Sequence, residues 1–405
     1  MNVLIVISHL YMGGFSKSLI NFLHCMQAYP NYDFTLLMLE NQPTSLEDQL
    51  PVGIKIIRMD LEYKDSAKEK LRLEYYHYKY VFFELFNKHI LKQSIPVRYV
   101  REYAMAKNAY RASRVVSDFS FTKEYDAVIS WEEGFCNYVL AEKIPAGYKV
   151  GYIHPDYIEA EFAKHIDRRS LRKLDKIITI SPSCYDTLRK VFPEYMEKIV
   201  CIPNRLNVQY YRDLAKQYVP RCDSNSVNLL TVARAQDSHK SIFRIVDLCN
   251  RLRKNDLHIK WYYIGDGPDF TELKQRITKS GLEDTIICLG ALDNPCPYIE
   301  KADLYVQQSH YEGRPVSVDE ALILHTPCLL TNYNSAKEQV ENGVTGWITE
   351  DDEDALFEQL RTLLEHPELL KEARKKLSQR KFSSFEDCSA MIEMLNSLGL
   401  EKGKA

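Results

Sequence analysis

Short apolar runs alternate with longer stretches of helical periodicity along most of this chain. The runs before residue 204 are VLIVIS, FTLLML, AVISW, KVGYIH, KIITIS and KIVCIP, and those after it are NLLTVA, IKWYYIG, TIICLG, LYVQQS and PCLLTN. Apolar strands separated by amphipathic helices are typical of parallel sheets covered by helices on both faces. Because the pattern occurs twice, we predict two doubly wound, Rossmann-like α/β domains.

The two series are separated by residues 203–225, PNRLNVQYYRDLAKQYVPRCDSN, which contain no apolar strand. We therefore predict an N-terminal domain over 1–205 and a C-terminal domain over 206–380. Residues 381–405 keep an i, i+3, i+4 apolar pattern after the last strand, which predicts a C-terminal helix. This helix is free to pack on either domain, including back on the N-terminal one.

A long helical, tyrosine-rich insert over about residues 62–122 interrupts the first series. Between residues 64 and 114 it carries twelve Lys or Arg residues against five Asp or Glu residues. A basic helical region with aromatic residues on its apolar side is typical of a segment that lies on an anionic membrane surface. The alternative is the solvated face of an ordinary helical subdomain.

Composition narrows the classes of function. With 405 residues and 45% hydrophobic content, the chain is long enough for two cores. Its ten cysteines form no C-x-x-C pair and no zinc-like cluster, which favours free thiols in a reducing cytosol. A net charge of -3 argues against a general nucleic-acid binder. The N-terminal run MNVLIVIS lacks preceding basic residues and a cleavage site, so we interpret it as a first strand.

The stretch EGRPVSVDE at 312–320 predicts an anion site flanked by carboxylates. Pro315 suits the first position of a helix, so Val316 and Ser317 would offer free amides and the positive end of the helix dipole to a phosphate. Glu320 lies one turn further along the same face, and Glu312 lies on the loop before the helix. Carboxylates repel phosphate and accept from hydroxyl groups. This pattern indicates a nucleotide sugar, with Glu320 binding ribose and Glu312 binding the transferred sugar.

Candidate cations and glycines lie after other predicted strands. Arg234 and Lys240 follow NLLTVA on the loop that opens the next helix, where they could meet a diphosphate, although solvated loop charges would look the same. Gly13 and Gly14 lie between the first strand and helix, where backbone without a side chain can approach a phosphate closely. They do not form G-x-G-x-x-G, so a dinucleotide site has little support.

With these motifs in place, the chain resembles the retaining glycosyltransferases of family 4, which have the GT-B fold and build bacterial capsule, O-antigen and lipopolysaccharide glycans. The resemblance covers most of the sequence. It implies two Rossmann-like domains facing a central cleft. The motifs that carry it, in order, are MGGFSKSLINFL, GYIHPDY, DKIITISPSCYDTL, KIVCIPN, LLTVAR with Lys240, YYIGDGP, LGALDNPCPYIEKADLYVQQS, EGRPVSVDE and NGVTGWI.

The resemblance also implies roles for individual residues. Arg234 and Lys240 match the basic pair that neutralises the donor diphosphate, although their spacing is one residue longer than expected. His154 matches a histidine that reaches the donor sugar near the reacting carbon. Glu312 and Glu320 match the glutamates for the donor sugar and the ribose. The remaining donor-contacting positions are Gly13, Gly14, Gly265, Leu292, Gly313, Arg314, Val316 and Ser317, with Gly14 on the loop that closes over the diphosphate and Leu292 in the segment that holds the base. Ser16 and Asn207 depart from the family pattern outside this donor set.

The activity implied is retaining transfer of a hexosyl or N-acetylhexosaminyl group from a UDP- or GDP-sugar, with UDP favoured, to a glycan or polyprenyl-diphosphate-linked acceptor. GT-B enzymes of this kind have no D-x-D metal site, so the resemblance implies transfer without metal or other cofactor, at the inner face of the cytoplasmic membrane or in the cytoplasm. We expect no nucleic-acid partner. Two alternatives stay open: a sugar-nucleotide epimerase of the same architecture, and a non-catalytic homologue that binds a nucleotide sugar or a partner protein.

Overall fold

The computed structural model describes residues 1–11, 13–59, 97–115, 125–382 and 387–401, and these residues form two compact units. Unit 1 comprises residues 1–11, 26–203 and 389–405, and unit 2 comprises residues 12–25 and 204–388. The sequence analysis counts residues 12–25 with the first domain, whereas the packing groups them with unit 2. Residues 60–96 and 116–124, which contain most of the predicted basic insert, lie outside the described residues.

Unit 1 contains a seven-stranded sheet in the order β3-β2-β1-β4-β5-β6-β7, in which every neighbouring pair is parallel. All six strands that the sequence predicts before residue 204 are present, and the short edge strand β3 is additional. The strands are β1 (Asn2–Ile7), β2 (Asp33–Met38), β3 (Lys55–Arg58), β4 (Ala127–Ser130), β5 (Tyr148–Ile153), β6 (Lys176–Thr179) and β7 (Ile199–Cys201).

The described helices up to β7 connect these parallel strands. They are α1 (Gly14–Met26), α2 (Val97–Val115), α3 (Phe135–Lys143), α4 (Lys164–Leu171) and α5 (Pro182–Val191), with 3-10 turns at Ser45–Gln49 and Pro193–Lys198. Helix α2 is the described part of the predicted helical insert, and it packs against α3 and α4. Apart from its last residue, α1 belongs to unit 2.

Unit 2 contains a six-stranded parallel sheet in the order β10-β9-β8-β11-β12-β13. Counted from β8, this is the 3-2-1-4-5-6 order of a dinucleotide-type fold, in which ligands bind beyond the carboxyl ends of the strands. The five predicted strands are all present, and β13 is additional. The strands are β8 (Val227–Val232), β9 (Ile259–Ile264), β10 (Ile286–Gly290), β11 (Leu304–Gln307), β12 (Cys328–Thr331) and β13 (Gly346–Thr349).

Helices cover both faces of the unit 2 sheet, because its strands are apolar on both sides and form two separate core clusters. The helices from the connecting segment onward are α6 (Val208–Leu214), α7 (Asp237–Lys240), α8 (Arg244–Lys254), α9 (Phe270–Lys279), α10 (Cys296–Lys301), α11 (Val316–Ile323), α12 (Ala336–Gln339), α13 (Glu353–Glu365) and α14 (Pro367–Gln379). The predicted C-terminal helix is α15 (Ser389–Glu401), which is grouped with unit 1. Among the described residues, none of the helices combines the length and apolar content needed to cross a bilayer.

Candidate functional site

The N-terminus of α11 lies where the sequence predicts a phosphate site. The helix begins at Val316, and Pro315 occupies the capping position just before it, one position earlier than predicted. The predicted glycine loop meets this helix end within unit 2, since a Cβ atom added to Gly14 would lie 3.6 Å from the Val316 side chain. The carbonyl of Gly13 accepts from the backbone N–H of Lys17 in the first turn of α1, at 3.2 Å. The fold thus brings two predicted phosphate-binding segments together.

Glu312 is buried at the carboxyl end of β11 and has several polar neighbours. Its Oε1 accepts from the Ser309 hydroxyl at 2.7 Å, from the Gln307 amide at 2.8 Å and from the Lys240 ammonium. Burial acts to raise the pKa of Glu312, but the charges of Lys240 and His239 and the hydrogen bonds from Lys240 and Ser309 outweigh it and lower that pKa. Glu312 is therefore held as a carboxylate.

Helix α7 supplies two side chains to this carboxylate. Lys240 is paired with Glu312 rather than left facing solvent. His239 lies 3.7 Å from Glu312 Oε2, donates from Nε2 to the Tyr311 carbonyl at 2.8 Å, and stacks on the Tyr311 ring with centroids 4.1 Å apart. The sequence analysis does not identify His239, since only the fold brings α7 and the loop after β11 together.

Glu320 lies one turn into α11 and is fully buried. The Lys17 ammonium contacts both of its oxygens, at 3.0 Å for Oε1 and 3.4 Å for Oε2. Burial, together with the nearby Glu320 charge, raises the pKa of the Tyr211 hydroxyl. Asn21 of α1 connects these partners, because its amide donates to both the Lys17 carbonyl and the Tyr211 hydroxyl at 2.8 Å. The predicted ribose-binding residue is thus part of a buried polar network within unit 2.

The first residues of the same segment have structural partners as well. Arg314 makes a two-pronged ion pair with the buried Asp319, at 2.9 and 3.0 Å, which ties the loop to α11. Gly313 is buried. Ser317 is the second residue of α11 and is half-buried. The Tyr305 hydroxyl donates to Gln307 Oε1 at 2.8 Å, and Gln307 donates to Glu312, so a hydrogen-bonded chain connects Tyr305 with the buried carboxylate.

Three further predicted residues lie at or near the carboxyl ends of β8, β9 and β10. Arg234 follows β8 and is exposed, and its guanidinium makes no hydrogen bond or ion pair within the described residues. Gly265 approaches the loop after β8 so closely that an added Cβ atom would lie 1.8 Å from the Ala233 carbonyl oxygen, which requires glycine there. Leu292 is half-buried against the unit 2 core. Of these, Arg234 offers an accessible positive charge.

His154 belongs to unit 1, immediately after β5. Its Nδ1 lies 3.2 Å from Glu133 Oε2, and its backbone N–H donates to the same oxygen at 3.3 Å. The ring stacks on Tyr152, with centroids 5.0 Å apart. Burial raises the pKa of Glu133, but the hydrogen bond and charge of His154 outweigh this and lower it. Glu133, which the sequence analysis does not identify, therefore fixes the orientation of the imidazole.

A cavity of about 240 Å³ lies beside this pair, among α2, α3 and α4. Tyr138 and Tyr157 each donate to one oxygen of Asp167, both at 2.5 Å. Burial nevertheless raises the pKa of Asp167, since it outweighs the two hydrogen bonds. Most of the lining is apolar or aromatic, and the described residues contribute no lysine or arginine to it. The lining residues are Met105, Ala106, Ala109, Glu133, Gly134, Asn137, Tyr138, Ile153, Tyr157, Phe162, Ala163, Asp167, Ser170 and Leu171.

Metal-ligating side chains are not grouped in the described parts of the chain, which contain no set of three or more His, Cys, Asp or Glu residues able to hold an ion. The ten cysteines are free thiols.

Residues 220–381, most of unit 2, match the family model described as Glycosyl transferases group 1. This part of the chain contains Glu312, Glu320 and Arg234, whereas Lys17, Asn21 and Tyr211 precede it. The resemblance found in the sequence is therefore supported at the level of group 1 glycosyltransferases.

Curated relatives match over shorter segments. N-acetyl-alpha-D-glucosaminyl L-malate synthase of Bacillus anthracis is 28% identical over 143 residues, which is 35% of each protein. N-acetylgalactosamine-N,N'-diacetylbacillosaminyl-diphospho-undecaprenol 4-alpha-N-acetylgalactosaminyltransferase of Campylobacter jejuni is 30% identical over 154 residues, which is 38% of this chain and 41% of that protein. The chain thus spans less than half the length of these relatives.

Solved structures match over nearly the whole chain. Anabaena HepE in complex with UDP and glucose has a TM-score of 0.68 at 17% identity, over 98% of this chain and 99% of that one. A mutant of S. aureus TarM in complex with Fondaparinux, alpha-GlcNAc-glycerol and UDP has a TM-score of 0.68 at 13% identity, over 98% of this chain and 99% of that one. These likenesses confirm the predicted fold class, two Rossmann-like α/β domains of the GT-B type.

Proposed function

We propose that this chain is a glycosyltransferase that moves a hexosyl or N-acetylhexosaminyl group from a nucleotide sugar to a glycan or lipid-linked glycan in bacterial surface polysaccharide biosynthesis. The observation that carries the proposal is the pair of buried carboxylates, Glu312 and Glu320, on either side of the α11 N-terminus. A helix N-terminus attracts a diphosphate, and carboxylates beside it accept from sugar hydroxyls. The family match of residues 220–381 supports this interpretation.

In the proposed donor complex, the diphosphate meets the amides of Val316 and Ser317 and the guanidinium of Arg234. Glu320 accepts from the ribose and Glu312 from the transferred sugar. Lys240, next to Glu312, is the second cation for the departing diphosphate. We favour UDP over GDP, and the description of both HepE and TarM in complex with UDP supports that choice.

The proposed reaction proceeds without a metal. Arg234, Lys240 and the α11 dipole stabilise the charge that develops on the leaving diphosphate, as a metal ion would elsewhere. His154, oriented by Glu133, is proposed from the family resemblance as the residue that contacts the donor sugar near the reacting carbon. The acceptor hydroxyl attacks on the side that the leaving group vacates and passes its proton to the leaving phosphate, so that the anomeric configuration is retained.

The acceptor is proposed to bind to unit 1. The cavity among α2, α3 and α4 has an apolar, aromatic lining, and its carboxylates would repel phosphate. Such a lining suits the hydroxylated, uncharged part of a glycan. The name of the Campylobacter jejuni relative specifies a diphospho-undecaprenol acceptor, which supports a lipid-linked acceptor and work at the inner face of the cytoplasmic membrane.

The carboxylate pair is tested by binding measurements. Glu320→Ala should lose about 1.5 to 3 kcal/mol of UDP affinity in calorimetry, because the ribose hydroxyls lose a charged acceptor. Glu365→Ala is the matched control, since Glu365 is exposed at the end of α13. Unchanged affinity in a folded Glu320→Ala protein would remove Glu320 from the site.

Turnover is tested with a panel of UDP- and GDP-sugars, with and without polyprenyl-diphosphate-linked glycan and with and without EDTA. A transferase releases nucleoside diphosphate only when the acceptor is present, and NMR of the product should show a retained anomeric configuration. Epimerised donor without acceptor would identify an epimerase, and binding without turnover would identify a non-catalytic homologue. Loss of activity in EDTA would contradict the metal-free mechanism.

A further inference from the structure

Glu320 is covered in this structure. Its side chain is only 1% exposed, so no ribose hydroxyl can reach it until a neighbour moves. The inference that follows rests on the proposed function, in which Glu320 binds the ribose. It concerns the group that covers Glu320 and what that group does when a nucleotide arrives.

Lys17 is the neighbour of Glu320 that can move, whereas Tyr211 is fixed by its surroundings. Tyr211 is 2% exposed within the unit 2 core, and Asn21 holds its hydroxyl at 2.8 Å. Lys17 has a long flexible side chain that is 14% exposed, and its ammonium extends across both carboxylate oxygens. Since a vicinal diol needs both oxygens as acceptors, ribose and Lys17 compete for the same atoms.

The phosphate site lies within reach of the displaced ammonium. Val316 starts α11 four residues before Glu320, which is about 6 Å along a helix axis. Gly14, three residues before Lys17, packs against Val316. A lysine that leaves Glu320 therefore stays beside the helix end where the diphosphate is proposed to bind.

We infer that Lys17 is both the cover of the ribose site and a further diphosphate-binding residue. In the empty protein its ammonium neutralises the Glu320 carboxylate. When a nucleoside diphosphate binds, the ribose hydroxyls donate to the Glu320 carboxylate and the Lys17 ammonium moves to the phosphate. Both charges gain a new partner when the buried ion pair separates, so neither is left buried and uncompensated.

This exchange selects nucleotides over nucleosides. A nucleoside offers the diol but no anion, so it must separate the ion pair without giving Lys17 a new partner. A nucleoside diphosphate supplies both the diol for Glu320 and the anion for Lys17. The selectivity should therefore depend on Lys17 itself, beyond the general attraction of phosphate for the other cations of the site.

The test compares the affinities of UDP and uridine, and of GDP and guanosine, for the wild type and the variant Lys17→Met, by calorimetry or ligand-observed NMR. Loss of a charge-assisted bond should weaken nucleoside diphosphate binding by about tenfold. Nucleoside binding should stay the same or strengthen, because the cover is gone. The matched control is Lys279→Met, since Lys279 is exposed on α9 and should change neither affinity.

Equal losses for nucleoside and nucleoside diphosphate would overturn the inference, since they would mean that Lys17 only supports the fold around Glu320. No change in either affinity would overturn it as well. If Lys17→Met does not fold, Lys17→Gln repeats the comparison, since glutamine can still donate to Glu320 but offers no charge to the phosphate. Nucleoside diphosphate binding should again weaken more than nucleoside binding. Wild-type protein that binds neither UDP nor GDP would instead reject the proposed function, and the role of Lys17 with it.

Discussion

Glu312 in unit 2 and Asp167 in unit 1 are shielded carboxylates that are stabilised in opposite ways. Glu312, like Glu320, is paired with a lysine, and its pKa, which burial alone would raise, is lowered by Lys240 and His239. Asp167 is held by two tyrosine hydroxyls, and burial leaves its pKa raised. Glu133 in the same cavity differs from Asp167, because the hydrogen bond and charge of His154 lower its pKa. The contrast between Glu312 and Asp167 fits the proposed charged donor and uncharged acceptor group.

The largest effect should follow from removing Arg234, the exposed cation that follows β8. Arg234→Ala should lower kcat by about 100-fold, because the diphosphate charge that it meets grows as the glycosidic bond breaks. Donor affinity should fall much less. Initial rates with saturating donor, together with UDP calorimetry, separate the two effects.

Arg221→Ala serves as the control for that experiment, since Arg221 is also an exposed arginine of unit 2. If kcat falls no more than donor affinity does, Arg234 acts only in binding.

The fold of both units could be predicted because each strand is marked by a short apolar run in the sequence. Eleven apolar runs gave eleven strands, while β3 and β13 were missed. β3 has exposed Lys55 and Arg58 at its ends, so its apolar run is only two residues long. β13 has a single tryptophan and isoleucine between a glycine and a threonine. Both are edge strands, which need less apolar surface than the central strands.

The candidate site could be predicted only where its residues are close in sequence. The position of Glu320 one turn after Val316 follows from helix geometry, but Lys17 is 303 positions from Glu320 and no local pattern joins them. Glu133 could have been found. It follows β4 and His154 follows β5, and the carboxyl ends of neighbouring parallel strands meet at one sheet edge.

The second prediction concerns the loss of the ion pair between Glu312 and Lys240 in unit 2. Glu312→Gln should lower the free energy of unfolding of unit 2 by about 2 kcal/mol at pH 7, because Lys240 loses its buried partner. The folded pKa of Glu312 lies below its usual 4.5, so its stabilisation is present above pH 4.5 and is lost as pH falls through the folded pKa. The deficit of the variant should therefore shrink in acid.

Hydrogen-exchange mass spectrometry in urea measures this, since it reports the two units separately. Glu365→Gln, an exposed position in the same unit, should show no deficit at either pH. A Glu312→Gln deficit that is the same at pH 7 and in acid would mean that the carboxylate charge contributes nothing to the stability of unit 2.

The smallest effect should come from Asp167→Asn, and its pH dependence should have the opposite sign. The folded pKa of Asp167 lies above its usual 3.8, so the wild type loses stability as pH rises from 3.8 through the folded pKa, whereas asparagine has no proton to lose. An amide can still bond both tyrosine hydroxyls, so the net change at pH 7 should be below about 1 kcal/mol. Relative to the wild type, Asp167→Asn should gain stability as pH rises, where Glu312→Gln loses it. Parallel pH trends for the two variants, measured by hydrogen exchange in peptides of α4 and α11, would contradict the contrast between Glu312 and Asp167. Opposite trends would support it, because the cations beside Glu312 more than offset the cost of burying its charge, whereas the neutral hydroxyls beside Asp167 do not.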